Sequence, residues 1–557
     1  MAATSERKDI AIVGSGLTGL AAAWILGEHH NVTLFERAPA LGMGAYGVPI
    51  PMTDGSTANI DVPLRVLSAS YYHFLFELYN EAGIPVKSED YSFSFSHAPS
   101  NRKANIGHEQ SALGTTYWLN TLLRVAGYST PIPRLSSMEA LSATGAFARL
   151  LHLCRRDGHD ASLSKVTFGQ WLDRNSVPKW ERDHIILPLL SIILTCDHSE
   201  IMQYPAGIVV DYMGAGQGES VRRAVGGSST VCERLSRRAD VRLNARIASV
   251  VPSSEASPKA VVSMEDGTTA EFDSVVLATQ ANIAAKLLGE TASTKNLVNA
   301  LQSFGYCKTH IVCHTDRSVM PADRRDWRVV NFGIAPSAER SMATIYMNAL
   351  LPDMRMPPQQ AAKIAKQFRE SQLTGKLDWD DEDGSAPGAK SAEQAASSPT
   401  SPSHKKGKAL PEYVSVREDG TVDVFQTLNP LVTPHPESVI SECWADRPIM
   451  NLDSLDAFET ISRAQGSGNV YICGSYSMYG MPLLEGAVES AVSVCRQLGV
   501  ETQFFHKAAA QRRQRHEVPV VDIPGIGKLR CTLCLPNLVF LSLLVVFLLV
   551  TVVVLFS

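Results

Sequence analysis

The residues best placed to do chemistry are Gly14, Gly16 and Gly19, in the run GSGLTG, with Glu36 further along. Three glycines at this spacing suit a diphosphate. The first permits a tight turn, the second lets backbone N–H groups approach the phosphates, and the third lets a helix pack closely on a strand. Ser15, Leu17 and Thr18 complete the loop. A carboxylate about 20 residues past the glycines accepts hydrogen bonds from ribose hydroxyls and disfavours an added 2′-phosphate. Glu36 therefore points to FAD or NAD rather than NADP, and the adjacent Arg37 joins it in the expected cofactor-binding set.

Such a loop works only between the right elements, and their order is present. The run DIAIV before Gly14 reads as a buried parallel strand, and LAAAWIL as a helix whose Ala21, Ala22 and Ala23 keep its packing tight. The run NVTLFE reads as a second strand that ends at Glu36. Beyond this unit, short apolar runs alternate with helical patterns, which favours an α/β architecture over a bundle or a sandwich.

With those elements in order, the N-terminal unit resembles the flavin-containing amine oxidase superfamily. The resemblance implies a Rossmann-type FAD-binding domain of the amine oxidase and glutathione reductase-like class, interleaved with an α+β substrate domain. From Asn469, NVYICGSYSMYGMPLLEGAVESA is similar to the superfamily's closing motif, with Gly474, Glu485, Gly486 and Ala487 matching. A helix beginning near Leu484 aims free N–H groups and its positive end at the electron-rich edge of a flavin. A nicotinamide enzyme has no need of this second site, so the expected cofactor is FAD. The middle stretch, GGSSTVCERL from Gly226, then VRLNARIASVV and EDGTTAEFDSVVLATQ, is similar to an adenine-supporting strand, a hairpin and a return strand, and places Ile247 in the cofactor set. Two departures stand out. Gly42 matches part of a glycine pair, but Met43 and Gly44 follow it in place of a second glycine and a basic residue. Ser475 stands where the superfamily commonly carries an acid.

Further stretches are similar to a branch of NAD/FAD-binding proteins that also resembles the flavoprotein region attached to plant cyclopropane fatty acid synthases. They are FGQWLDRNSVPKWERDHIILPLLSIILTC from Phe168, HTDRSVMPADRRDWRVVNF from His314, TIYMNAL from Thr344 and FQTLNPLVTP from Phe425. Flavin chemistry needs a C–H carbon held in an apolar, water-poor pocket. Tyr476, Tyr479 and Met481, with Pro482, precede the flavin-facing helix and are the catalytic candidates, with Trp444 and Tyr346 behind them. Each also reads as ordinary core packing. His314 and Asp316 read either as an acid/base pair or as a structural histidine with its neighbour. The expected reaction is hydride removal from a C–H or C–N substrate, either an acyl or isoprenoid lipid or a small amine. A flavin-holding scaffold without turnover is the alternative of another class, and a flavin-free nicotinamide dehydrogenase is a third.

The 557 residues carry a formal net charge of -5, which gives no positive field for nucleic acid. The run NLVFLSLLVVFLLVTVVVLF at 537–556 has no charged residue. About 20 residues at about 1.5 Å each span a hydrocarbon core of about 30 Å. Arg512, Arg513, Arg515, Lys528 and Arg530 precede it, so a tail anchor is expected, with the body in the cytosol and the span in the endoplasmic reticulum. Cys531 and Cys534 read as acylation sites, metal ligands or plain thiols; two cysteines cannot close a tetrahedral site alone, and no metal is expected. The other cysteines read as reduced thiols. The acidic, then Ser-, Pro- and Ala-rich, then basic stretch 374–408 reads as a disordered insertion. The expected organisation is an FAD-binding domain at 8–80, 220–300 and 440–500, a substrate domain at 81–219 and 301–439, a linker at 511–536 and the anchor at 537–556.

Overall fold

In a computed structural model of the chain, the described residues are 6–373 and 413–530, less 43–45, 53–54, 90, 99–112, 126–127, 159, 216–220, 515–519 and 524–526. The insertion, the apolar run 537–556, and Met43, Gly44, Cys531 and Cys534 lie outside them. Among the described residues no helix is long and apolar enough to cross a membrane.

Strand β1 (Asp9–Val13) pairs in parallel with β2 (Asn31–Phe35). Three further strands, β3 (Asp240–Arg242), β4 (Ser274–Leu277) and β5 (Val470–Ile472), complete a five-stranded sheet in the order β3-β2-β1-β4-β5. Every pairing in it is parallel, so both faces are covered and the strands read as unbroken apolar runs. Ile10, Ala11, Ile12, Val275, Val276 and Leu277 are fully buried accordingly.

The crossover from β1 to β2 is α1 (Leu17–Leu26), in which Leu20, Ala21, Ala22 and Ala23 are fully buried. Three other helices build outward from it: α2 (His73–Glu81), α3 (Leu484–Gln497) and α4 (Gln503–Gln514). α1 packs on α3, α3 on α2, and α2 on α4. The alanines of α1 let α3 come close, which holds the two ends of the folded body together.

Between β3 and β4 the chain makes the antiparallel meander Ile247–Val251, Ala260–Met264 and Thr269–Phe272 before returning to the parallel sheet. A second, eight-stranded sheet runs in the order Val439–Ile449, Gly305–His314, Phe425–Leu428, Ser341–Tyr346, Val330–Ile334, Phe93–His97, Thr116–Val125, Tyr128–Pro133. Helix Leu187–Leu194 packs on its strand Ser341–Tyr346, and helix Met138–Asp157 on Thr116–Val125.

Residues 511–514, expected to open a weakly structured linker, are the last turn of α4. Gln511 Nε2 donates to Glu77 at 3.1 Å and Arg512 pairs with Glu489, so α4 is fastened to α2 and α3 through its final turn. Beyond it, Val520–Ile523 and Gly527–Arg530 pair as an antiparallel ladder.

Candidate active site

Gly14 leaves β1 with φ +103°, and a Cβ there would lie 2.8 Å from the carbonyl oxygen of Ala278. A Cβ on Gly19 would lie 1.9 Å from the Gly14 oxygen, so helix and loop touch backbone to backbone. Gly16 differs from both, because a Cβ there meets nothing within 4 Å. It stands at the N-cap of α1 with no side-chain cap, and among the described residues the N–H groups of Leu17, Thr18 and Gly19 have no acceptor. Unpaired N–H groups facing open space at the positive end of a helix form an anion site.

Glu36 sits at the mouth of that loop. Its backbone N–H donates to Arg242 O at 2.8 Å and its carbonyl accepts from Ala245 N at 2.9 Å, so β3 fixes where the side chain starts. The carboxylate accepts from Ser15 N at 3.0 Å, from the Ser15 hydroxyl, and from Ala38 N at 2.9 Å. Gly42 N donates to Ser15 Oγ at 3.2 Å, closing the rim. Arg37 is half-buried beside Glu36, and Ile247 is half-buried at the start of the meander.

The second helix N-terminus faces the same region. β5 lies one strand from β1 across β4, and α3 starts at Leu484 with no side-chain cap. Among the described residues the N–H groups of Leu484, Glu485 and Gly486 have no acceptor, whereas Ala487 N bonds to Leu483 O at 3.1 Å. Gly486 stands where a Cβ would be 3.4 Å from both Ser475 O and Met481 O. Gly474 is extended, its N–H donates to Ser490 Oγ at 3.1 Å, and a Cβ there would strike the Tyr476 ring at 2.4 Å.

Several candidates have other tasks. Glu485 belongs to the expected cofactor set, but its carboxylate turns to α2 and accepts from Phe74 N at 3.0 Å and Leu75 N at 3.1 Å. Tyr476 is 2% exposed and packs on Phe304, folded back against Gly474. Tyr479 is 40% exposed, with its hydroxyl against Gly207 of helix Ala206–Ala215. Met481 is buried beside Gly486. Trp444 is half-exposed and stacks on His310 at 4.4 Å, and Tyr346 donates to Asp423 at 2.6 Å. His314 is fully buried and pushed down to about 4 by loss of solvation. Its Nδ1 accepts from the Asp316 backbone N–H at 3.1 Å and its Nε2 meets Thr427 Oγ1 at 2.8 Å. The Asp316 carboxylate accepts from Ser318 N and His435 N instead, so the pair is structural.

A narrow, partly open pocket reaches Leu484 at the start of α3. Its wall brings in residues that sequence reasoning missed, notably Asp61, Leu64 and Arg65. Asp61 accepts from Ser228 N at 2.9 and 3.0 Å and from Ser228 Oγ at 2.7 Å, capping helix Gly227–Ser236. An acid within an apolar strand, NIDV, was the available signal. Arg447 is also new: its Nε donates to Thr195 Oγ1 at 3.0 Å and its guanidinium reaches Pro482 O at 3.5 Å, steadying the loop before α3.

The sequence pattern of the flavin containing amine oxidoreductases matches residues 17–360. The chain belongs to that family. It is an FAD-dependent oxidoreductase, and its residues fit FAD: an open Gly16, two uncapped helix N-termini on one side of a parallel sheet, and Glu36 at the loop's mouth. Over 71 residues it is 38% identical to carotenoid phi-ring synthase of Streptomyces griseus, a stretch covering 13% of this chain and 14% of that protein. Putrescine oxidase bound to putrescine has the same fold, with a TM-score of 0.52 at 14% identity over 89% of this chain and 100% of that one. So does the CLA-producing fatty acid isomerase from P. acnes, with a TM-score of 0.52 at 13% identity over 89% of this chain and 99% of that one.

Proposed function

We propose that this flavoenzyme removes hydride from an apolar acyl or isoprenoid chain. The observation that carries the reading is the state of Asp61. It is the carboxylate on the wall of the pocket at α3; Ser228 binds it through one N–H shared between both oxygens and through its hydroxyl, and the Arg65 guanidinium beside it already answers its charge. The neighbouring charge of Arg223 is likewise engaged, at 2.8 Å from Glu89. An ammonium substrate needs a free carboxylate or an aromatic cage. The wall also carries Arg65, Asn59 and Tyr79, and its apolar part is Ile60, Leu64, Met347, Leu350, Leu351 and Leu484.

Bound FAD supplies the hydride acceptor. The chain's own part is to hold it and keep water out. The N–H groups of Leu17, Thr18 and Gly19 take the diphosphate, Glu36 takes ribose hydroxyls, and the N-terminus of α3 favours negative charge developing nearby. The apolar part of the wall excludes water from the reacting carbon.

Three further points support a lipid. The local match to a carotenoid-ring synthase and the shared fold of a fatty acid isomerase involve apolar substrates. The stretches similar to the flavoprotein region of cyclopropane fatty acid synthases agree. We further propose that the uncharged run 537–556 crosses a membrane and holds the enzyme where lipids are concentrated.

The test is anaerobic flavin reduction by the full chain in detergent. Loss of the oxidised flavin band with isoprenoid or fatty acyl substrates, and not with diamines or monoamines, is the expected result. Reduction by amines alone overturns the proposal.

A further inference from the structure

Away from the dinucleotide loop, two thiols and a carboxylate converge. One ligand atom each from Cys196, Glu200 and Cys307 lies within 4.8 Å of the others. They come from two pieces of chain distant in sequence, 196–200 and the strand that holds Cys307. Cys196 follows helix Leu187–Leu194, Glu200 lies in the short helix His198–Ile201, and Cys307 is in strand Gly305–His314. Thr195 takes φ +53°, a left-handed conformation rare for a β-branched residue, and this turn carries Cys196 toward the strand.

The site is built rather than superficial, with Cys196 1% and Cys307 9% exposed. Glu200 Oε2 accepts from Asp197 N at 2.8 Å as part of a helix cap, which fixes the carboxylate beside the Cys307 thiol. The thiols make weak bonds, Cys196 to Leu194 O at 3.2 Å and to the Tyr204 hydroxyl at 3.8 Å, and Cys307 to Thr195 O at 3.6 Å and Lys308 O at 3.9 Å.

We propose that Cys196, Cys307 and Glu200 bind a thiophilic divalent cation, zinc by preference, with water as the fourth ligand. Tetrahedral zinc with Zn–S bonds of about 2.3 Å holds its sulfurs about 3.8 Å apart. That spacing falls within the observed 4.8 Å envelope. Two thiolates with one carboxylate select zinc over magnesium or calcium, which prefer oxygen alone. Binding releases the two thiol protons to solvent, and no oxidant is needed. Three charges of the bound ligands are offset by the cation's two and by Arg447, whose Nε lies 3.0 Å from Thr195 Oγ1. The same arginine reaches Pro482, so the metal clasps the helical layer to the eight-stranded sheet directly behind the loop that leads into α3.

Cobalt titration of the flavin-loaded full chain, purified without added metal, tests this. Tetrahedral cobalt with thiolate ligands absorbs to the red of flavin, so uptake is read without interference. The expected result is one cobalt per chain, displaced by zinc. Glu200→Gln, which keeps an oxygen for the Asp197 cap, should weaken cobalt affinity about ten-fold or more. Cys196→Ser should weaken cobalt affinity and shift the red cobalt bands, whereas Cys154→Ser, in helix Met138–Asp157, should leave both unchanged. Should Cys196→Ser fail to fold, the wild-type titration and Glu200→Gln still decide the matter. Absence of a cobalt spectrum in the wild type, or recovery of a Cys196–Cys307 disulfide peptide from the native protein, overturns the proposal.

Discussion

The carboxylate of Glu485 caps the helix that begins at His73, accepting from Phe74 N at 3.0 Å and Leu75 N at 3.1 Å. A residue in the first turn of α3 thus fastens α2, and it is fully buried in doing so. Burial pushes it up from 4.5 to about 7, against the pull of the two N–H donors. Between those values the unfolded chain has released its proton and the folded chain has not, so folding stability falls as pH rises from about 4.5 to about 7. The slope amounts to on the order of 3 kcal/mol. Glu485→Ala loses the cap, about 1 kcal/mol, and also loses this slope. Urea midpoints across that range should show the variant gaining on the wild type as pH rises; a constant difference refutes the assignment.

His314 works in the opposite direction. Its ring is neutral in the core and ionises only near 4, against an ordinary 6.5. As pH falls from about 6.5 toward 4 the unfolded chain takes up a proton that the folded chain refuses, so stability is lost on the acid side. The two slopes overlap and offset one another in the wild type. Glu485→Ala should therefore uncover a stability that climbs with pH, and His314→Gln should uncover one that declines. The prediction fails if the two variants show pH profiles of the same sign.

The dinucleotide loop was legible because its information is contiguous. Sterics at Gly14 and Gly19, the apolar strand before them and the small-residue helix after them are all written within one stretch of chain, and the structure has them in that order. The start of α3 at Leu484 was legible for the same reason. The partner of Glu485 lies 411 residues away, and no local preference encodes such a pairing. Tyr476 follows a similar logic: an aromatic in a loop reads as pocket lining until the bare Gly474 lets it fold back under the sheet edge. The last turn of α4 looked like linker because Gln511 and Arg512 find their partners, Glu77 and Glu489, on other helices.

Gly16 and Gly19 should separate binding from folding. A Cβ at position 16 meets open space, so Gly16→Ala should change the stability of the flavin-free protein by no more than about 0.5 kcal/mol. The methyl stands instead where backbone N–H groups must approach a diphosphate, and flavin retention should drop at least ten-fold, about 1.4 kcal/mol. Gly19→Ala drives a Cβ to 1.9 Å from the Gly14 oxygen, so it should fail to fold. Flavin-to-protein absorbance ratios and unfolding midpoints check both. Equal flavin content in Gly16→Ala and wild type would remove the loop from the binding site.

Asp61 offers the sharpest division between a lipid and an amine substrate. Its carboxylate is committed to Ser228 at 2.7–3.0 Å, where asparagine caps nearly as well. Asp61→Asn therefore removes the charge while keeping most of the cap; because Arg65 loses its neighbouring countercharge, a stability loss is expected, and flavin reduction is compared on folded protein. If an apolar chain occupies the pocket, the concentration of lipid needed for half-maximal flavin reduction should stay within about two-fold of wild type, because no substrate charge answers to Asp61. If an ammonium occupied it, loss of a buried partner charge would cost 3 kcal/mol or more, roughly a hundred-fold in affinity. Rapid-mixing measurements of flavin bleaching on the two proteins, with one lipid and one amine, read that ratio directly.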